Sequence, residues 1–211
     1  MAGWRITDEP SAEPVSLEEV QNFIKQDEEE ANPLLERLIT AARKHCERET
    51  RRSFIRRTVE ATFDEWPISR TDNNYSWPLK SKRQPAFILP KASPLISVSK
   101  VQYVDTAGYT QTLSSSVYRI VTTRIPGRIR LAKDQVWPDA EDDEDAITVT
   151  YDVGYGEDDD VPEDAKVAVL FLVDHWYNHR EAVDVSVGGT VTRVPHGFEA
   201  LINGLKVPRV H

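Results

Sequence analysis

Over residues 147–181 the chain reads ITVTYDVGYG, then the acidic EDDD, then VPEDAKVAVLFLVDHWYNHRE: a strand, a charged turn and a helix. Residues 167–173 are an unbroken apolar run, so the helix predicted over 162–180 lacks the polar face of a surface helix and should pack on more than one side. Short valine-rich runs are ambiguous between helix and strand, and here the flanks decide. Pro162 fits a first helical turn, Glu163 and Asp164 suit the positive end of the dipole, and His179 and Arg180 suit the negative end. Such a helix is about 27 Å long at about 1.5 Å per residue. Lys166, Asp174 and the shortness of the apolar run exclude a membrane span.

The same pattern organises the rest of the N-terminal half. Residues 1–14, with Pro10, Ser11 and Pro14, read as a flexible, extended arm with too little apolar surface to order itself alone. Ser16 and Glu19 have capping-box spacing, and Val15 and Val20 have the spacing of a hydrophobic staple, which predicts a helix over about 16–26. Asn32 and Pro33 open a second helix, over about 33–50, along which Leu34, Leu38, Ile39, Ala42 and Cys46 recur at helical steps. Its end is basic, with Arg43, Lys44, Arg48, Arg51, Arg52, Arg56 and Arg57 close in sequence. That cluster reads as a solvated face complementing the helix C-terminus, or as a contact with an acidic neighbour or phosphate.

Between 58 and 151 the period is two. Val59, Ala61 and Phe63 alternate with polar residues, 69–86 is a polar, turn-rich loop, and short strands are predicted at 87–89, 98–104, 109–113, 118–122, 128–131 and 147–151. The turn at 105–108 and the Pro126–Gly127 pair suit hairpins. Beyond the apolar helix, 184–194 resembles a hairpin or arm. Phe198, Leu201, Ile202 and Leu205 then have helical spacing, and Val207, Pro208, Arg209, Val210 and His211 are extended. The predicted class is α+β: helices at both ends of the chain packed with a central antiparallel β-sheet of hairpins, plus extended terminal arms. The predicted organisation is a flexible arm at 1–14, one domain over 15–183, and a C-terminal arm at 184–211.

Composition narrows the function. With 211 residues, 39% hydrophobic and 29% charged, the chain can bury a core, and its net charge of −9 argues against a protein that grips nucleic acid through phosphates. No secretory leader is evident at the N-terminus, which makes assembly in the cytoplasm the expectation. The lone Cys46 forms no internal disulfide and reads as a small core residue.

Residue patterns for reactive chemistry are sparse in this chain. His175 and His179 have the i, i+4 spacing of two zinc ligands, but Trp176, Tyr177 and Asn178 lie between them and no third ligand is indicated, so packing histidines are expected and a metal-dependent hydrolase is the remote reading. The acidic tracts 139–145 and 157–160 lack the spaced ligands and central glycine of a calcium loop, and read as solvated loops or a surface repelling another polyanion. Phosphate loops and nucleophile elbows are missing. Trp66, Trp77 and Trp137, each before a proline, read as plugs at sheet ends. No enzyme activity and no cofactor are expected.

Taken in order, EPVSLEEV (13–20), LLERLITAARKHCERETRRSF (34–54), FDEWP (63–67), ILPKASPLISVSKVQYVDTAG (88–108), YRIV, PGRIRL, Trp137–Pro138, ITVTYDVGYG, Val161–Pro162 and YNHRE resemble the head-tail connector (adaptor) proteins of tailed bacteriophages and gene transfer agents over nearly the whole chain. Two departures stand out: Arg51 occupies the place where that family usually has a glycine before Arg52, and 69–86 is longer than the usual loop.

The resemblance implies a virion structural protein of the neck, at the head-tail junction, assembled in the host cytoplasm. It implies a ring of about twelve copies beneath the portal, extending the DNA channel. Its expected partners are its own copies, the portal protein, a downstream stopper or tail protein, and double-stranded DNA in transient non-specific contact, with no membrane. A closed ring needs a heterologous interface, for which the apolar helix offers Val167, Leu170, Phe171 and Val173, and the second helix Leu34 and Leu38. The C-terminal segment, with Phe198, Leu201, Ile202, Val207, Pro208, Arg209 and Val210, is the expected portal contact, so deleting 195–211 should leave a folded subunit that no longer binds portal. Asp142, Asp143, Asp158 and Asp159 are candidates for an acidic channel wall or for solvated loops. A tail-completion or terminator ring protein is the runner-up.

Overall fold

The structure is a computed structural model that describes residues 3–26, 29–67, 86–91, 93–179 and 196–207. The loop expected over 69–86, apart from Ala86, and the arm expected over 184–194 lie outside these residues, as do Trp77, Pro208, Arg209 and Val210. The class is α+β, with four α-helices and antiparallel sheets among the described residues.

Where one domain over 15–183 was expected, the chain forms two compact units, one of residues 1–9 and 57–153 and one of 10–56 and 154–211. The first holds the strands: β1 (Gly3–Asp8), β2 (Arg57–Phe63), β3 (Ala86–Ile88), β4 (Leu95–Val104), β5 (Thr110–Thr112), β6 (Tyr118–Val121), β7 (Arg128–Leu131) and β8 (Ile147–Val153). They form two sheets, of order β1-β2-β8-β4-β5 and β3-β7-β6.

The two hairpins expected at 105–108 and at Pro126–Gly127 form, as β4–β5 and β6–β7. The last strand, β8, inserts between β2 and β4, and the reason lies in its side chains. Ile147, Val149, Tyr151 and Val153 are buried, and so is Asp152, which accepts from Thr58 and Ser97. A strand buried to that degree belongs at the centre of a sheet.

The segment expected as a free N-terminal arm is β1, paired along β2 from Gly3↔Thr62 to Asp8↔Thr58. It buries almost no side chain. What holds it is the backbone ladder on a sheet edge, a contribution that composition does not register. Trp66 and Trp137 do plug the end of this unit: their rings stack 4.6 Å apart, next to Phe87, and Trp66 also meets Tyr103.

The second unit holds α1 (Leu17–Ile24), α2 (Asn32–Thr50), α3 (Glu163–Asn178) and α4 (His196–Leu205). The capping box of α1 is present: the Glu19 amide donates to Ser16 Oγ at 3.2 Å and the Ser16 amide to Glu19 Oε2 at 2.6 Å. Buried positions on α2 run Leu35, Ile39, Ala42, Arg43, Cys46, Glu47 and Thr50, so its core stripe passes through Leu35, with Leu34 and Leu38 half-buried at the border. The α2 helix ends at Arg51 in the left-handed region, φ 58° and ψ 32°, the conformation that glycine adopts without steric cost.

Buried α2 carries an ionic knot. The Arg43 side chain, 4% exposed, donates to Glu13 Oε2 at 2.6 Å, Glu13 Oε1 at 3.2 Å and Glu47 Oε2 at 3.2 Å. Glu13 Oε1 also accepts from Thr40 at 2.8 Å, and Glu47 Oε1 from the Phe54 amide at 2.8 Å. Burial works to lower the Arg43 pKa, and Glu13 and Glu47 overcome it, so the net shift is upward and the guanidinium stays charged.

Removing one partner of a buried pair leaves uncompensated charge, at a cost of about 3–5 kcal/mol. Arg43→Ala should therefore lower the unfolding free energy by about that much in urea titration, whereas Arg37→Ala on the exposed side of α2 should change it by about 0.5 kcal/mol or less.

Candidate functional site

The candidate assembly surfaces begin with α3. Its buried positions, Ala165, Ala168, Val169, Leu172 and Val173, form one helical stripe, yet no residue from 165 to 177 is fully exposed. The partners that the apolar run demanded are three helices of the same unit. The Phe171 ring lies 5.9 Å from Phe23 of α1, Trp176 lies 5.9 Å edge-on to His45 of α2, and Gly197 of α4 comes so close to Phe171 that a Cβ there would sit 3.1 Å from the ring. Gln26 closes the end by donating to the Tyr177 hydroxyl at 2.9 Å.

The six residues expected at a subunit interface thus divide. Val173 is fully buried in its own core, whereas Phe171 is half-buried and packs against that core beside Phe23 and Gly197. Leu170, Leu34 and Leu38 are half-buried, as is Val167, which shares a helix face with Leu170 outside the buried stripe.

The C-terminal residues divide as well. Phe198, Ile202 and Val207 are buried within the helical unit and Leu201 is half-buried, so α4 is a core element rather than an arm waiting for a partner. The reason is a set of contacts that sequence order hides. Arg52 Nε donates to the Leu205 carbonyl at 2.6 Å, Arg51 Nη1 to the Val207 carbonyl at 3.2 Å, and the Val207 amide to the Thr50 carbonyl at 2.9 Å. Two members of the basic cluster therefore satisfy carbonyls at and beyond the C-terminus of α4. Deletion of 195–211 would uncover Phe198 and Ile202 sites in the core, so it is no longer expected to leave an undisturbed subunit.

His175 and His179 rings lie 4.6 Å apart, and His179 Nδ1 turns back to the His175 carbonyl at 2.8 Å, ending the helix. Among the described residues no group of three or more His, Cys, Asp or Glu is placed to hold a metal ion, and no helix is long and apolar enough to cross a membrane. Asp142, Asp143, Asp158 and Asp159 are all exposed. Cys46 is buried, and burial pushes its thiol up to about 12.

The α+β fold is followed over nearly its whole length by solved chains of gene transfer agent particles. A chain from the virion of a native gene transfer agent particle superposes with a TM-score of 0.72 at 19% identity, covering 99% of this chain and 97% of that chain. A chain from the neck of an empty gene transfer agent particle, computed with C6 symmetry, gives 0.71 at 19% over the same shares. One from the neck of a native particle, computed with C12 symmetry, gives 0.65 at 20%, covering 98% and 97%. The family model of the head completion proteins matches residues 13–197, and the chain belongs to that family. No curated protein matches it.

His45 sits where α2, α3 and α4 meet, 5.9 Å from Trp176 and 6.1 Å from Phe198. Its Nδ1 lies 2.9 Å from Arg48 Nη2, and since arginine only donates, Nδ1 accepts and the ring is neutral. Burial, then the Arg48 charge, lowers its pKa; burial and His179 lower that of His175. Groups depressed in this way bind fewer protons folded than unfolded, so their stabilisation is full above about pH 6.5 and fades as pH falls through the folded values. The urea midpoint should drop between pH 7.5 and 5.5, and His45→Gln should flatten that drop; a pH-independent midpoint would refute the assignment.

Proposed function

We propose that the chain is a structural virion protein of the neck, a connector that forms a ring beneath the portal, extends the DNA channel and bridges capsid to tail. The observation that carries this reading is the end-to-end likeness of fold to chains of gene transfer agent necks, within the head completion family. Its partners are further copies of itself, the portal, and a downstream stopper or tail protein, with DNA passing through. The role is geometric and requires no catalysis.

Val167 and Leu170 share a half-buried face of α3 outside its buried stripe and are assigned to meet a neighbouring copy, with Leu34 and Leu38 at the border of α2. Burying a large aliphatic side chain contributes about 1.5–3 kcal/mol as an upper estimate, so a few per subunit hold a ring closed. A ring of about twelve copies at −9 each carries roughly −100, a charge that disfavours DNA adhering to the conduit. Exposed Asp142, Asp143, Asp158 and Asp159 contribute to it.

The portal contact is assigned to the end of the chain, 208–211, together with Leu201 and the exposed side of α4. Val207, the last described residue, is buried, so ending the chain after it keeps every described core position; the urea midpoint of the full chain should be retained while portal binding weakens at least tenfold in a pull-down titration. The reading as a whole is tested by mass measurement of the chain with and without the portal of the same particle, and by imaging of purified vertices. A ring at the neck is expected; a monomer indifferent to portal and absent from vertices overturns the reading.

A further inference from the structure

Arg119, Arg128 and Arg130 are scattered in sequence, but the β6–β7 hairpin brings them together. Register sets Arg119 opposite Arg130 and Val121 opposite Arg128, while β3 sets Ala86 opposite Arg130 and Ile88 opposite Arg128. Directly paired residues share a face of an antiparallel sheet. The three arginines therefore stand with Ala86, Ile88 and Val121 on the face opposite the one that buries Phe87, Tyr118 and Ile129.

Neighbouring strands are about 5 Å apart and alternate residues along one strand about 7 Å, so the three arginine side chains rise from one small area of the sheet. Among the described residues no carboxylate pairs with any of the three. Arg128 Nε is buried and has no hydrogen-bond partner. In a chain with 35 acidic residues against 26 Lys and Arg, a patch of this kind is a local reversal of the net charge.

We propose that this face is the basic half of a contact between two copies of the chain, occupied by the acidic run 141–145 of the neighbouring copy. Three observations select that occupant. Ile88, 41% exposed, and Val121 lie among the arginines, and a protein loop can cover such aliphatic surface where a phosphate backbone offers little to bury it. The cations are all arginine, whose planar fork takes carboxylates two bonds at a time and tolerates interface burial better than lysine. Every residue of 141–145 is exposed on a surface elsewhere in the same chain, which gives the unlike, complementary patches that a head-to-tail ring requires. The inference rests on the ring reading and adds the surfaces that set its register.

Engineered thiols test it in the full chain, since Cys46 is buried with its thiol raised to about 12 and stays unreactive. Ile88→Cys and Asp142→Cys proteins, mixed in low salt with a short bis-maleimide, should give a cross-linked dimer at least fivefold above either protein alone. High salt should abolish it, as should Arg119→Glu with Arg130→Glu in the first protein; adding Asp143→Arg with Glu144→Arg to the second should restore it.

No cross-link, equal cross-linking within each single protein, or indifference to salt overturns the proposal. So does retention of duplex DNA by the wild type that the two arginine substitutions remove, which would assign the face to nucleic acid. A ring on portal without this cross-link sinks only the arginine face, and a cross-link from a protein absent from vertices sinks only the neck reading.

Discussion

The helical unit depends on one buried guanidinium. Arg43 joins Glu13, from the segment before α1, to Glu47, one turn along α2, and Glu47 in turn holds the Phe54 amide beyond the end of that helix. Three stretches that do not otherwise share regular hydrogen bonding are thereby brought to one charge. In the low-dielectric interior such a set is stable only when complete, because each member left alone would be an unsolvated ion. The knot therefore specifies one arrangement of α2 and its flanks rather than adding much net stability.

A second lock acts at the far end of α2. Thr50, Arg51 and Arg52 take backbone groups at and beyond the C-terminus of α4, so that helix is tied to the second. Arg51 does this from a left-handed backbone conformation that glycine adopts more easily. An arginine at that point accepts a steric cost of about 1–2 kcal/mol and gains a donor for the Val207 carbonyl. The turn is kept and given a second use.

These two locks recast what an assembly surface can be in this chain. The most apolar segment, 167–173, lies mostly inside its own unit, because α1, α2 and α4 enclose α3. Among the described residues, the surfaces open to the neighbours proposed above include the half-buried Val167 and Leu170 and the charged sheet face. Specificity in a ring built from such parts comes from unlike charges meeting in one register, with apolar burial supplying the rest.

Much of the local structure was legible from residues alone. Capping chemistry at Ser16 and Glu19, the proline-led start of α2, and the dipole-matched flanks of α3 are interactions within a few residues, so spacing reveals them. Period-two alternation likewise located the strands from β2 onward, and an ordered set of short motifs pointed to the family. The sequence could not show that β1 pairs with β2, that β8 enters between β2 and β4, or that Arg52 caps α4, because those contacts join residues about 50 to 150 positions apart. For the same reason it read α4 as a free arm and left Arg119, Arg128 and Arg130 unremarked. Local spacing determined which elements form; only the tertiary structure decided which of their faces were already taken.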